Sequence, residues 1–158
     1  MSAVQAAPVH LDTARRLLQR EPVVRLATTG RDGPHVVPVW FVWEPDAVFC
    51  SSFGEGRLLS NVRRNSRVAL VFDVGREWEQ LAGVTVTGTA RPLRPGHPDL
   101  RAPMSRWFDK YRERFGPTGF RSFAEATREL WFLRIAPHEI ASWDHGGGPF
   151  RAASDGGR

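Results

Sequence analysis

The residues best suited to chemistry lie in one short run, Cys50-Ser51-Ser52-Phe53-Gly54-Glu55-Gly56-Arg57. Hydroxyls, glycines and a guanidinium stand there at the start of a stretch, Gly56 to Asn65, that reads as helix. Backbone N–H groups at a helix start, together with hydroxyls and arginine, are what a protein uses to hold a phosphate. Just upstream runs an apolar strand, His35-Val36-Val37-Pro38-Val39-Trp40-Phe41. Pro38 has no backbone donor, so the strand belongs at an edge or an irregularity, which leaves backbone groups free for a ligand.

Other chemistries find less support. Cys50 is a lone cysteine in a strand and reads as a small buried hydrophobe. It excludes an internal disulfide framework and a cysteine-rich zinc site. His10, His35, His97, His138 and His145 show no metal-ligand spacing, so no metal is expected. No nucleophile-elbow sequence supports a Ser/His/Asp hydrolase. Arg63 and Arg64 read as a solvated helix face, and a solvated arginine is the plain alternative reading of Arg57.

The elements that position these residues follow from pattern and punctuation. Leu11 to Arg20 predicts a short amphipathic helix stopped by Pro22. Val23 to Thr28 predicts a strand, and Gly30-Arg31-Asp32-Gly33 a hairpin turn. His35 to Trp43 reads as one strand, with Trp40 and Trp43 on opposite faces. Ala47 to Ser51, Arg67 to Asp73, Val84 to Ala90, Leu130 to Ala136 and His138 to Trp143 complete the strand set. Gly88 marks a bulge or a close approach. Leu100 to Phe115 and Ser122 to Thr127 predict helices. Hairpin-length connections leave no room for parallel crossovers between the first strands. The expected fold is mainly β: a six- to seven-stranded antiparallel split barrel with short helices. A single domain is expected over residues 1–145, with a flexible glycine-rich tail over 146–158.

Composition bounds the function. The chain has 158 residues, 41% hydrophobic and 25% charged, as in an ordinary soluble domain. No apolar run approaches the roughly 20 residues of a membrane span, and the first residues do not form a secretory signal. The expected location is cytoplasmic. The formal net charge of +5 suits an anionic ligand. No nucleic-acid-binding motif accompanies it, so neither nucleic acid nor membrane is expected as a partner.

The ordered set Pro38-Val39-Trp40-Phe41-Val42-Trp43, Arg57 to Asn61, Asn61 to Leu70, Gly88-Thr89-Ala90 and Trp143-Asp144 resembles the flavin/deazaflavin oxidoreductase family. This is the split-barrel group that includes the pyridoxamine 5′-phosphate oxidases. The resemblance is greatest to its actinobacterial branch, which uses the deazaflavin F420. It implies a homodimer with cofactor at the interface, F420 as cofactor and FMN as the alternative. By the same resemblance, His35, Val36, Val37, Pro38, Val39 and Trp40 would run along the ring. Cys50, Ser51 and Ser52 would face the ribityl and phosphate portion, with Arg57 and Leu58 at the helix start. Gly83, Trp143 and Arg151 would come from the neighbouring subunit. The cofactor carries the redox chemistry, so no catalytic residue is expected.

Two departures from the family pattern stand out. Leu58 occupies a position where many relatives carry lysine, leaving Arg57 to hold the phosphate. The basic, aromatic substrate segment of the pyridoxal phosphate oxidases is missing between Pro95 and Arg128, which argues against vitamin B6 oxidation. A small organic substrate is expected instead, lined by Trp107, Tyr111 and Phe120. A non-catalytic flavin carrier is the reading from another class.

Overall fold

The computed structural model describes residues 16, 18–116 and 119–145. Most of the expected helix from Leu11 to Arg20, the tail 146–158 and Arg151 lie outside the described residues. Seven strands form one sheet: β1 (Val24–Gly30), β2 (Gly33–Val39), β3 (Phe41–Trp43), β4 (Val48–Phe53), β5 (Arg67–Val74), β6 (Ala82–Leu93) and β7 (Leu130–Asp144). Their order is β2-β1-β5-β6-β7-β4-β3, and every neighbouring pair is antiparallel.

This order fixes the shape. β2 and β3 lie at opposite edges of the sheet, yet Trp40 alone separates them in the chain. The sheet must therefore curl until its edges meet at Trp40, giving a half-barrel. The expected single strand from His35 to Trp43 is thus two strands. The break falls at Trp40, two residues beyond Pro38, because the Trp40 carbonyl leaves the β1 ladder. It accepts the Ser51 N–H across the split at 2.8 Å. Leu130 to Trp143, expected as two strands, is one. Its Pro137 lies beyond the β4 pairing, which ends at Ile135, so its missing N–H breaks no ladder there. A bulge between Thr87 and Gly88 takes up the irregularity on β6. At Gly88 a Cβ would stand 2.4 Å from the Ala136 carbonyl oxygen, so only glycine fits.

Two apolar cores flank the sheet. Val24, Leu26, Phe41, Trp43, Cys50, Leu70, Phe72, Val84, Val86, Leu133 and Ile135 fill the half-barrel. Helix α1 (Arg57–Arg64) closes it with Leu58, Leu59 and Val62. The second core lies under α2 (Arg101–Tyr111) and α3 (Phe123–Glu129), where Met104, Trp107, Tyr111 and Ala126 meet Val42, Phe49 and Phe132. Trp43 belongs to the first core; Trp40 packs against the second. Ser122 and Glu125 form a reciprocal capping box that starts α3.

One buried polar pair sets the position of α1. Asn61 donates to the Thr28 hydroxyl at 3.1 Å, and both residues are buried. The carboxamide occupies space beside Gly30 that a side chain there would fill: a Cβ would lie 1.9 Å from Asn61 Oδ1. The first residue of α1, Arg57, is placed relative to β1 and β2 by this contact.

Candidate functional site

A groove of about 440 Å³ runs along β2 to the start of α1. One wall is His35, Val37, Pro38, Val39 and Trp40; the other is Ser51, Ser52, Phe53, Gly56, Arg57 and Leu58. Strand alternation explains the first wall. Odd-numbered β2 residues turn their side chains into the groove, whereas Val36 projects from the opposite face and is 60% exposed. Proline cannot donate, so Pro34 and Pro38 must turn their nitrogens away from the β1 ladder and toward the free edge. Among these even positions, Val36 alone can offer an N–H there.

The phosphate-like end has the right donors. Arg57 is exposed and forms no ion pair among the described residues. Gly56 caps α1 without a side-chain hydrogen bond, and the first turn holds no acidic residue. The first N–H groups of α1 are therefore open to an anion. Ser52 is half-buried and lines the groove. In contrast, Arg63 is engaged, paired with Glu55 at 2.8 Å and lying over the Trp131 ring.

Much of the β2 wall is apolar. Val37, Val39 and Trp40 line it, and His35 contributes a buried Nδ1 with no hydrogen-bond partner. A buried imidazole nitrogen without a partner costs about 1–3 kcal/mol, which a polar ligand would recover. Trp40 is held from behind by Tyr111, Trp107 and Phe115. An apolar slot with a few polar atoms, ending at a guanidinium and an uncapped helix, fits a tricyclic ring with an anionic tail.

Several of the expected site residues are buried. Cys50 is fully buried in the half-barrel core. Burial pushes its thiol pKa far up, opposed weakly by Lys110, so it is no thiolate nucleophile. The Ser51 hydroxyl is already committed: it donates to the Trp40 carbonyl at 3.3 Å and accepts from Trp107 Nε1 at 3.1 Å. Leu58 lines the groove but buries its side chain in the core. Trp107 and Tyr111 are 0% exposed and cannot line a substrate directly. They face inward because α2 packs on the sheet with exactly that stripe. Phe120 does reach a cavity, adjoining the groove.

Gly83, Trp143 and Val36 lie elsewhere. Gly83 pairs with Trp143, whose indole occupies the place of a Cβ at 2.5 Å. Trp143 and Val36 line an apolar cleft of about 380 Å³ on the outer face of the sheet, with Ala27, Ala69 and Val71. Arg25 and Asp73 form an ion pair at its rim.

Sequence reasoning kept Phe53 and Gly56 within the signal run without assigning them a contact, and gave Lys110 no role. The first two belong to the signal run itself and continue the groove wall. Lys110, the sole lysine, donates to the Phe41 carbonyl at 3.2 Å and sits 3.7 Å from the Phe41 ring centre. Burial, reinforced by the Arg114 charge, lowers its pKa to about 7. Among the described residues, no group of acidic, histidine or cysteine side chains is placed to hold a metal.

The family model for pyridoxamine 5′-phosphate oxidase matches residues 11–144. The chain belongs to the pyridoxamine 5′-phosphate oxidase family. No curated protein matches it. Solved structures of similar fold include a conserved hypothetical protein from Mycobacterium tuberculosis, 20% identical, covering 92% of this chain and 90% of that one at a TM-score of 0.71. A FAD-binding protein from Mesorhizobium loti is 19% identical over 80% of this chain and 87% of its own, at 0.62. An F420 reductase is 19% identical over 80% and 94%, at 0.60. These likenesses show the fold: this chain shares its curled half-barrel with each of them. Among the described residues, no helix is long and apolar enough to cross a membrane.

Proposed function

We propose that the chain is a homodimeric oxidoreductase that binds F420 in the β2–α1 groove and acts on a small organic substrate. The observation that carries this reading is Arg57, without an ion pair among the described residues, beside an uncapped helix start in the wall of the groove. When bound, a deazaflavin supplies two-electron hydride chemistry. The chain's own part is to bind, orient and exclude water. Arg57, Ser52 and the first N–H groups of α1 hold the anionic end. Val37, Val39 and Trp40 form the apolar bed, and the His35 imidazole gives its buried nitrogen a polar partner.

The outer cleft supports the dimer. Val36, 60% exposed, forms with Ala27, Ala69, Val71 and Trp143 an apolar face that a second copy would cover. Such a dimer is the setting in which the resemblance assigns Gly83, Trp143 and Arg151 to the neighbouring cofactor site. A cytoplasmic location accords with F420 chemistry.

FMN is the second reading, favoured by the similarity of fold to a FAD-binding protein. A non-catalytic flavin carrier is the third, favoured by Leu58 in place of lysine. Side-by-side titration with F420 and FMN, with sedimentation of the same sample, separates the first two, and turnover of the bound cofactor separates both from the third. Micromolar F420 binding by a dimer is expected. Tighter FMN binding would replace F420, and binding of neither would end the oxidoreductase reading.

A further inference from the structure

A second chamber of about 420 Å³ adjoins the groove and shares Trp40 and Phe53 with it. Its other walls include Arg114, Phe115, Phe120 and Arg121 from beyond α2, with Glu125 and Glu129 from α3. We infer that this chamber takes a flat aromatic carboxylate, which it presents to the cofactor across Trp40 and Phe53; this rests on the proposed cofactor groove.

The walls are rings. Phe53 and Phe120 lie nearly parallel, 6° between planes and 6.0 Å between centres. Phe115 meets Phe120 edge-on at 5.3 Å and also touches Trp40. Ring faces and edges set at these angles favour a planar conjugated ligand, whose own quadrupole finds both arrangements. Gly119 makes the chamber possible. A Cβ there would stand 2.2 Å from the Phe115 Cβ and 2.4 Å from its carbonyl oxygen, so only glycine lets Phe120 approach.

The rim carries two guanidiniums, Arg114 and Arg121, against two carboxylates, Glu125 and Glu129. Arg114 and Arg121 line the chamber, and neither forms an ion pair among the described residues. Glu125 does not neutralise them through its capping oxygen, because that atom accepts the backbone N–H groups of Arg121 at 2.5 Å and Ser122 at 3.0 Å. Glu129, the other acidic wall, is exposed at the end of α3. Two guanidiniums beside aromatic walls recognise a carboxylate on a ring, by paired hydrogen bonds and by stacking. Glu129 would oppose that anion and tune its affinity.

The test is calorimetric titration of the full chain with 2-naphthoate and with its neutral analogue 2-naphthylmethanol. F420 and FMN binding is measured on the same sample. The acid should bind, and the alcohol about tenfold or more weaker. Arg114→Gln and Arg121→Gln should each weaken the acid about tenfold and leave the alcohol unchanged. Glu129→Gln should tighten the acid, Phe120→Ala should weaken both, and Arg94→Gln, outside the chamber, should change neither. Equal affinity for acid and alcohol, or indifference to both arginine changes, overturns the inference. Cofactor binding without naphthoate binding sinks this inference alone. Naphthoate binding with neither cofactor retains the chamber and sinks the cofactor reading.

Discussion

The indole of Trp40 lies parallel to the ring of Tyr111, with planes 3° apart and centres 4.4 Å apart. The pair ties groove to core. Trp40 is the hinge between the two edge strands and a wall of the groove; Tyr111 is buried in the second core. The Tyr111 hydroxyl accepts the Phe41 N–H at 3.0 Å, and its hydrogen lies within reach of the Pro22 and Phe41 carbonyls. Tyr111→Phe therefore leaves a buried N–H unsatisfied. It should cost about 1–3 kcal/mol in urea denaturation, without loss of the native circular dichroism spectrum.

Ser51 and Ser52, adjacent in sequence, should behave differently. Ser51 bridges Trp40 and Trp107 and is 4% exposed. Ser51→Ala should lower stability by about 1–2 kcal/mol through the lost bonds. Ser52→Ala should leave stability within about 0.5 kcal/mol and weaken cofactor binding. Paired denaturation and fluorescence titrations of the two variants check this.

Much of this division was not legible in the sequence. The run from Cys50 to Arg57 and the strand before it pointed to the groove, because hydroxyls, glycines and an arginine beside a helix start have a specific chemistry. What alternation could not say was which β4 side chains face the groove, since β4 is covered on both faces and Val48, Phe49, Cys50 and Ser51 are all buried. The aromatic stripe of α2 was readable as a stripe, but a stripe does not tell a core from a ligand wall. The break at Trp40 depended on hydrogen bonds to Ser51, a contact no local propensity encodes.

The three deeply placed titrating groups give stability a maximum in alkaline solution. Lys110 has a native pKa of about 7 against 10.5 in the unfolded chain, so the unfolded state holds more protons between those values. Its contribution to stability rises with pH from about 7 to 10.5. Burial raises the pKa of Cys50 above 9.0 and of Tyr111 above 10.0, so their contributions fall as pH climbs past those values. Their sum climbs from pH 7 to 9 and declines above 10. Urea midpoints across this range should trace that curve, and Lys110→Met should remove the climb.

Gly83→Ala tests the packing of Trp143. The new methyl would meet both the indole and the Phe72 carbonyl oxygen at 2.5 Å. A cost of about 1–3 kcal/mol is expected from overpacking. The cost should persist largely in a Trp143→Ala background, because the backbone oxygen remains; calorimetric melting of the single and double variants measures it.

The measurement closest to the central claim compares F420 affinity between the wild-type chain and Arg57→Ala by fluorescence titration at low ionic strength. Loss of the guanidinium should weaken binding by about 1–3 kcal/mol, roughly fivefold to 150-fold, with the fold intact. Unchanged affinity would remove Arg57, and with it the β2–α1 groove, from the account.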